Sequence, residues 1–304
     1  MNESIPGMGW IPDVPKVSDY DEAHAEVAGL LKKTGLAAHA PSHGNGGARA
    51  GRSSGTAAAA AATATAAAVD LRPYFSPIED QGQLGSCTAN AAVGLVEYYE
   101  KRASGKVLDA SRLFVYKTTR NLIGVTGDTG AELRNTMGAL VLFGAPPEKY
   151  WPYNIAKFDA EPTPFCYAFA ENFKAIKYLR LDTARVSGQA LLDKIKTYLA
   201  SNLPSMFGFP VYQEFMNPPA NAHVAYPAPR SKYYGGHAIV AAGYDDNLPI
   251  SSTEKGALLI RNSWGTSWGD HGYAWLSYKY VTQGLAVDWW TAIKDAWVDT
   301  GNFM

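Results

Sequence analysis

Residues 36–68 are dominated by alanine, glycine, serine and threonine, and they divide the chain before anything else can be read. Such a stretch buries too little apolar surface to offset the entropy of ordering its backbone. It reads as an Ala/Gly-rich flexible linker, although the twelve Ala and Thr positions from Thr56 to Ala67 carry helix propensity of their own. What it leaves is a short N-terminal extension, 1–35, and a globular part, 69–304.

The extension cannot hold a core alone. Its residues 5–15, Ile-Pro-Gly-Met-Gly-Trp-Ile-Pro-Asp-Val-Pro, set three prolines around Trp10 and Ile11. Proline forbids helix there and favours an extended strand with an apolar anchor, suited to lying on another surface. From Ser18 or Asp19 as N-cap through Val27, Leu30 and Leu31 to Gly35, the spacing predicts a short amphipathic helix. A tether like 36–68 has an r.m.s. span of roughly 30 Å, long enough to bring Trp10 and Ile11 over a cleft of the globular part. The extension is therefore expected to be a cleft-covering segment, with a brace behind the sheet as the rival reading.

The globular part changes character along its length. Helical patterns follow Cys87 up to Ser104-Gly105, then cover 111–120, 131–143 and 188–201. The stretch 146–164 is rich in proline and aromatics and reads as packed loop. Short apolar runs then appear at 238–242, 257–261 and 273–277, separated by turn residues. Helices first and strands later imply an α+β chain with its site between the halves. A formal net charge of −1 supplies no global field for nucleic acid or an anionic membrane, so neither is expected as a partner. No run approaches the roughly 18–20 apolar residues of a membrane span, and residues 1–35 lack a signal-peptide pattern. The expected location is cytoplasmic, or secreted by a route without a recognisable signal. The two cysteines, Cys87 and Cys166, make no disulfide framework, and Cys166 reads as a buried or spare thiol. The histidines 24, 39, 43, 223 and 271 have no paired ligand spacing, so no metal and no other cofactor is expected.

The chemistry concentrates in three stretches. Gln81-Gly-Gln-Leu-Gly-Ser-Cys87 is a glycine-rich turn delivering a cysteine to a helix N-terminus, where the macrodipole and unpaired N–H groups favour the nucleophilic thiolate. Gly235-Gly236-His237 sets a histidine at the mouth of a strand. Arg261-Asn262-Ser263-Trp264-Gly265 ends another strand in an amide with indoles close behind. Cysteine, histidine and amide have the logic of nucleophile, base and orienter. Gln81 can aim an N–H at an oxyanion beside the Cys87 amide.

These residues carry a resemblance. The order Gln81, Cys87, His237, Asn262, with Gly85-Ser86-Cys87 and the Asn-Ser-Trp-Gly stretch, resembles the papain family of cysteine proteases, and within it the bacterial, xylellain-like branch, over roughly 69–290. The resemblance implies a two-lobed fold: a helical lobe headed by Cys87 and an antiparallel, β-barrel-like lobe carrying His237 and Asn262, with peptide or protein substrate in the cleft. It implies Gln81 as oxyanion donor and Trp264 as the indole shielding the His237–Asn262 bond. Substrate binding falls on or near Gly130, with the pocket for the second residue before the scissile bond near Leu133, Gly208, Gly235 and Gly236. Leu84 stands where the family usually has a disulfide cysteine, and Thr88 where it usually has an aromatic. Residues 1–35 are shorter than the usual inhibitory pro-region and lack its long helical motif.

The expected activity is that of a monomeric cysteine endopeptidase working through a Cys87–His237 thiolate–imidazolium pair and a thioester. The alternatives are a thioester acyl transferase, and a papain-fold binding or regulatory protein whose cleft stays occluded.

Overall fold

The structure, a computed structural model, describes residues 5–34, 36, 66–174 and 177–303. Most of the expected linker 36–68 lies outside the described residues. In chain order the elements are α1 (Ala25–Lys33), β1 (Ala68–Asp70), α2 (Cys87–Ser104), α3 (Arg112–Leu122), α4 (Leu133–Leu142), α5 (Pro164–Ala170), β2 (Lys177–Arg180), α6 (Gly188–Ala200), β3 (Ser205–Tyr212), α7 (Gln213–Met216), β4 (His223–Val224), β5 (Tyr233–Pro249), β6 (Lys255–Arg261), β7 (Tyr273–Ser277), α8 (Lys279–Thr282), β8 (Val287–Ile293) and α9 (Asp295–Val298).

The sheet order is β2-β8-β3-β5-β6-β7-β4, with β1 added to β5. All of its pairings are antiparallel apart from β4 with β7. Helix α2 lies between this sheet and helices α3 and α4, and every residue from Cys87 to Tyr99 is buried. Small residues make that close fit possible: a methyl added at Gly94 would stand 3.4 Å from the Arg261 Nε. The helix ends at Gly105, whose left-handed backbone (φ 71°) returns its N–H to the Lys101 carbonyl, as a glycine C-cap does.

A buried polar network fastens α2 to β6. Arg261 Nη2 donates to Ser76 Oγ (3.0 Å), Ser76 donates in turn to Glu97, and Glu97 accepts the Ala110 N–H at 2.9 Å. Burial pushes the Glu97 carboxyl up to about 7. The pairing holds the two halves of the molecule in one register, which fixes where Cys87 stands relative to β5 and β6.

Several sequence expectations shift. The helix expected from Ser18 or Asp19 begins only at Ala25, because tertiary partners take the would-be cap. Asp19 accepts the Lys16 N–H (2.8 Å) and pairs with Arg134, while Tyr20 O accepts the Arg180 N–H (2.9 Å). Propensity is a weak prior against such contacts. The expected packed loop 146–164 contains two single 3₁₀ turns, and α5 starts at its end, at Pro164. Strands β3 and β8 have no counterpart among the expected elements.

The extension packs at two places. Its helix α1 buries Val27, Leu30 and Leu31 and reaches α9 through Lys33, which pairs with Asp299 (2.6 Å) and Asp295 (3.4 Å). Its residues 5–11, the strap, run through the groove between α2 and β5.

Candidate active site

Cys87 is the first residue of α2, and His237 and Asn262 come from β5 and the end of β6, which are neighbours in the sheet. His237 Nε2 meets Asn262 Oδ1 at 2.8 Å. An amide oxygen only accepts, so the imidazole carries its proton on Nε2 and leaves Nδ1 with a free lone pair. Nδ1 is buried and has no hydrogen-bond partner among the described residues. Asn262 is itself held, since its Oδ1 also accepts the Ser263 N–H at 2.8 Å. Trp264 stacks on the imidazole with ring centroids 4.6 Å apart and 25° between planes.

Gln81 is fully buried. Ser263 Oγ donates to its Oε1 (2.6 Å), which fixes the amide so that Nε2 points into the groove. The turn from Gln81 to Cys87 is clamped from the other side. Gly85 N–H donates to the Asp128 carboxylate (3.0 and 3.1 Å), Tyr116 Oη donates to the same carboxylate (2.6 Å), and Tyr153 Oη bonds Ser86 Oγ (2.6 Å). Sequence reading missed Asp128, Tyr153 and Ser263, whose signal lies only in contacts formed across the fold.

The strap occupies this geometry completely. Gln81 Nε2 donates to the Gly7 carbonyl (3.0 Å) as well as to Leu84 O (2.9 Å), and the Gly9 N–H points at Cys87 Sγ (3.3 Å). Gly7 N–H donates to Gly82 O (2.9 Å), Trp10 N–H to Gly236 O (3.2 Å) and Ile11 N–H to Ala131 O (3.0 Å), while Ala131 N–H returns a bond to Gly9 O (2.7 Å). Only glycine permits so close a passage: a Cβ on Gly9 would lie 1.9 Å from the Gly85 carbonyl oxygen. What the Cys87 thiol meets on the strap is the Gly9 N–H donor.

Of the expected substrate residues, Gly130, Gly208, Gly235 and Gly236 all line the strap, the last two against Met8 and Trp10. Leu133 lies buried at the start of α4, and the backbone pairing with the strap is made by Ala131, the neighbour of Gly130. Leu84 and Thr88 are both buried; Thr88 Oγ1 accepts from Thr136 (3.1 Å). Cys166 is free and buried in a separate aromatic cluster.

Burial dominates the electrostatics of the closed site. It pushes the Cys87 thiol up to about 11 and holds His237 down at about 4, the Asn262 contact opposing the latter. Burial of the closed site thus disfavours both the thiolate and the imidazolium. No helix among the described residues is long and apolar enough to cross a membrane, and no cluster of metal-binding side chains occurs among them.

The profile for "Papain family cysteine protease" matches residues 65–290. Among curated proteins, an uncharacterised peptidase C1-like protein of Acanthamoeba polyphaga mimivirus is 35% identical over 217 residues, covering 69% of this chain and 68% of that one. Cathepsin K of Gallus gallus is 30% identical over 228 residues, covering 69% of this chain and 58% of that one, so this chain spans less than two thirds of that relative. Among solved structures, xylellain, a cysteine protease from Xylella fastidiosa, superposes with a TM-score of 0.72 at 28% identity, covering 95% of this chain and 96% of that one. A Carica candamarcensis cysteine protease shares the fold at a TM-score of 0.55 and 21% identity, covering 75% of this chain and 99% of that one. The α+β architecture with its cleft is thus the two-lobed papain fold, and the chain belongs to the papain family of cysteine proteases.

Proposed function

We propose that the protein hydrolyses peptide bonds by nucleophilic catalysis at Cys87, and that residues 5–11 inhibit it from within. The observation that supports the reading is a peptide backbone lying against both Cys87 Sγ and the Gln81 amide, beside the strand on which His237 is held by Asn262. Withdrawal of the strap exposes sulfur and imidazole to water, removes the burial that keeps both neutral, and lets the proton pass from Sγ to Nδ1. The thiolate attacks the peptide carbonyl carbon, and the oxyanion takes the bond that Gly7 O now receives from Gln81 Nε2, beside the Cys87 amide. The imidazolium gives its proton to the leaving amine. Water, deprotonated by His237, then hydrolyses the thioester and returns the free thiol. Asn262 keeps the ring in the tautomer that these transfers need.

A second reading is favoured by the same occlusion: a papain-fold regulatory protein whose cleft never opens. One variant separates them. Gly9→Val forces a side chain into the Gly85 carbonyl and should release the strap in the full-length chain. We expect it to cleave unstructured peptides at least about tenfold faster than wild type, with all cleavage lost in Gly9→Val/Cys87→Ala. No cleavage by Gly9→Val, with a folded circular dichroism spectrum, would contradict the peptidase reading.

A further inference from the structure

Trp10 enters a pocket whose floor is a carboxylate. Its Nε1 donates to Asp288 Oδ2 at 3.0 Å, and both residues are buried. One wall is the bare backbone of Gly208, where an added Cβ would lie 1.9 Å from the indole Cε2, so the slot has the width of a flat ring and nothing more.

The carboxylate is aimed there by an irregular piece of backbone. Between β3 and β8 the register runs Met206↔Trp290 and then Gly208↔Val287, one residue more on β8 than on β3. Asp288 sits in this bulge at φ 59°, a left-handed conformation that non-glycine residues adopt only where the surroundings impose it. The Asp182 carboxylate imposes it by accepting the N–H groups of Asp288 (2.7 Å) and Trp289 (2.8 Å). Bulges commonly re-aim a side chain beside a functional site.

The pocket has room for one donor. Asp288 Oδ1 is taken by Trp290 Nε1 (2.7 Å) and faces Arg180 Nη1 (3.3 Å), which leaves Oδ2 alone toward the slot. Once Trp10 departs, that oxygen stays buried and unpaired unless the incoming side chain brings an N–H. Phenylalanine or leucine would fill the volume and leave the acceptor without a donor. An arginine or lysine would supply a donor as well, but would bring its charge close to Arg180.

We propose that Asp288 is a specificity-determining residue, and that the pocket selects substrates with a tryptophan side chain at the position Trp10 occupies. The assignment rests on the peptidase reading for its use but not for its test. The full-length Gly9→Val/Trp10→Ala variant, with the pocket vacated, is given matched peptide sets carrying Trp, Phe, Leu or Arg at one position each, scanned across both sides of the scissile bond. We expect kcat/KM for Trp to exceed that for Phe by about tenfold or more, as a hydrogen bond to a charged acceptor is worth. Asp288→Asn, which tolerates the same backbone and keeps a weaker acceptor, should narrow the ratio. Asp288→Gly, relaxed at this φ, should abolish it. Equal rates for Trp and Phe, a preference for Arg, or a Trp preference surviving Asp288→Gly would overturn the assignment.

The same peptides are also scored by how far they slow alkylation of Cys87, which needs no turnover. If nothing is cleaved yet the Trp peptide protects Cys87 better than the Phe peptide, the hydrolytic reading fails and the pocket assignment stands. Equal protection overturns the assignment on its own.

Discussion

At the scale of single residues, the site depends on side chains whose orientation is set by a neighbour. Gln81 is held at its carbonyl end by Ser263, and His237 by Asn262, which accepts from Nε2, with Trp264 stacked on the ring. Removing one of two oxyanion donors costs on the order of 10² to 10³ in kcat. In the strap-released Gly9→Val background, Gln81→Ala should therefore lower kcat by that much with little change in KM. Asn262→Ala should cost less, because in the proposed mechanism Asn262 orients the base and takes no part in bond making. A Gln81→Ala effect confined to KM would mark Gln81 as a substrate-binding or turn residue. Three of the four chemical types are legible in the sequence because the neighbours of each restrict what it can do: glycines before a cysteine, glycines before a histidine, an amide closing a strand. Asp288 is not legible there, since its partner Trp10 is 278 positions away and its aim comes from a bulge.

At the scale of elements, periodicity is a good guide where one face is buried and a poor one elsewhere. Helix α2 ends at Ser104 with Gly105 as cap, as the pattern predicts, and α6 spans Gly188–Ala200 against an expected 188–201. Strand β3 is hidden in the sequence because Gly208 and Pro210 interrupt its pattern; the pocket needs the first, and the second replaces a backbone donor within the strand. Strand β8 is hidden because Asp288 breaks an otherwise apolar run. Helix α1 starts late because Asp19 and Tyr20 are drawn into bonds with Arg134 and Arg180, contacts that no local pattern contains. The prolines of 5–15 do signal an extended segment, and the strap is extended where it crosses Cys87. Its ligand-like fit to Gln81, Gly236 and Ala131 can be read only with the groove in view.

At the scale of the whole molecule, the strap ties catalytic chemistry to stability. The closed fold holds His237 at about 4, below its ordinary 6.5, so it excludes a proton that the unfolded chain binds. The stability this contributes is fully present above pH 6.5 and is lost as pH falls from 6.5 toward 4. Cys87 acts in the opposite direction: raised to about 11 from 9.0, its share is present below pH 9 and lost as pH rises from 9 to 11. Wild-type Tm should accordingly fall more steeply between pH 6.5 and 4 than that of His237→Gln, which cannot titrate. Parallel curves over that window would show that His237 is not buried neutral in the folded chain.

Both the proposed inhibition and the shifted protonation of the site require that residues 5–11 sit on the Cys87 sulfur in the resting protein. The rate of iodoacetamide modification at Cys87, followed by peptide mass in full-length wild type and Gly9→Val at about pH 7.5, reads this out, with buried Cys166 as the internal reference. Slow modification of Cys87 in wild type and at least about tenfold faster modification in Gly9→Val, with Cys166 unchanged in both, is the predicted result. Equal Cys87 rates in the two proteins would contradict it.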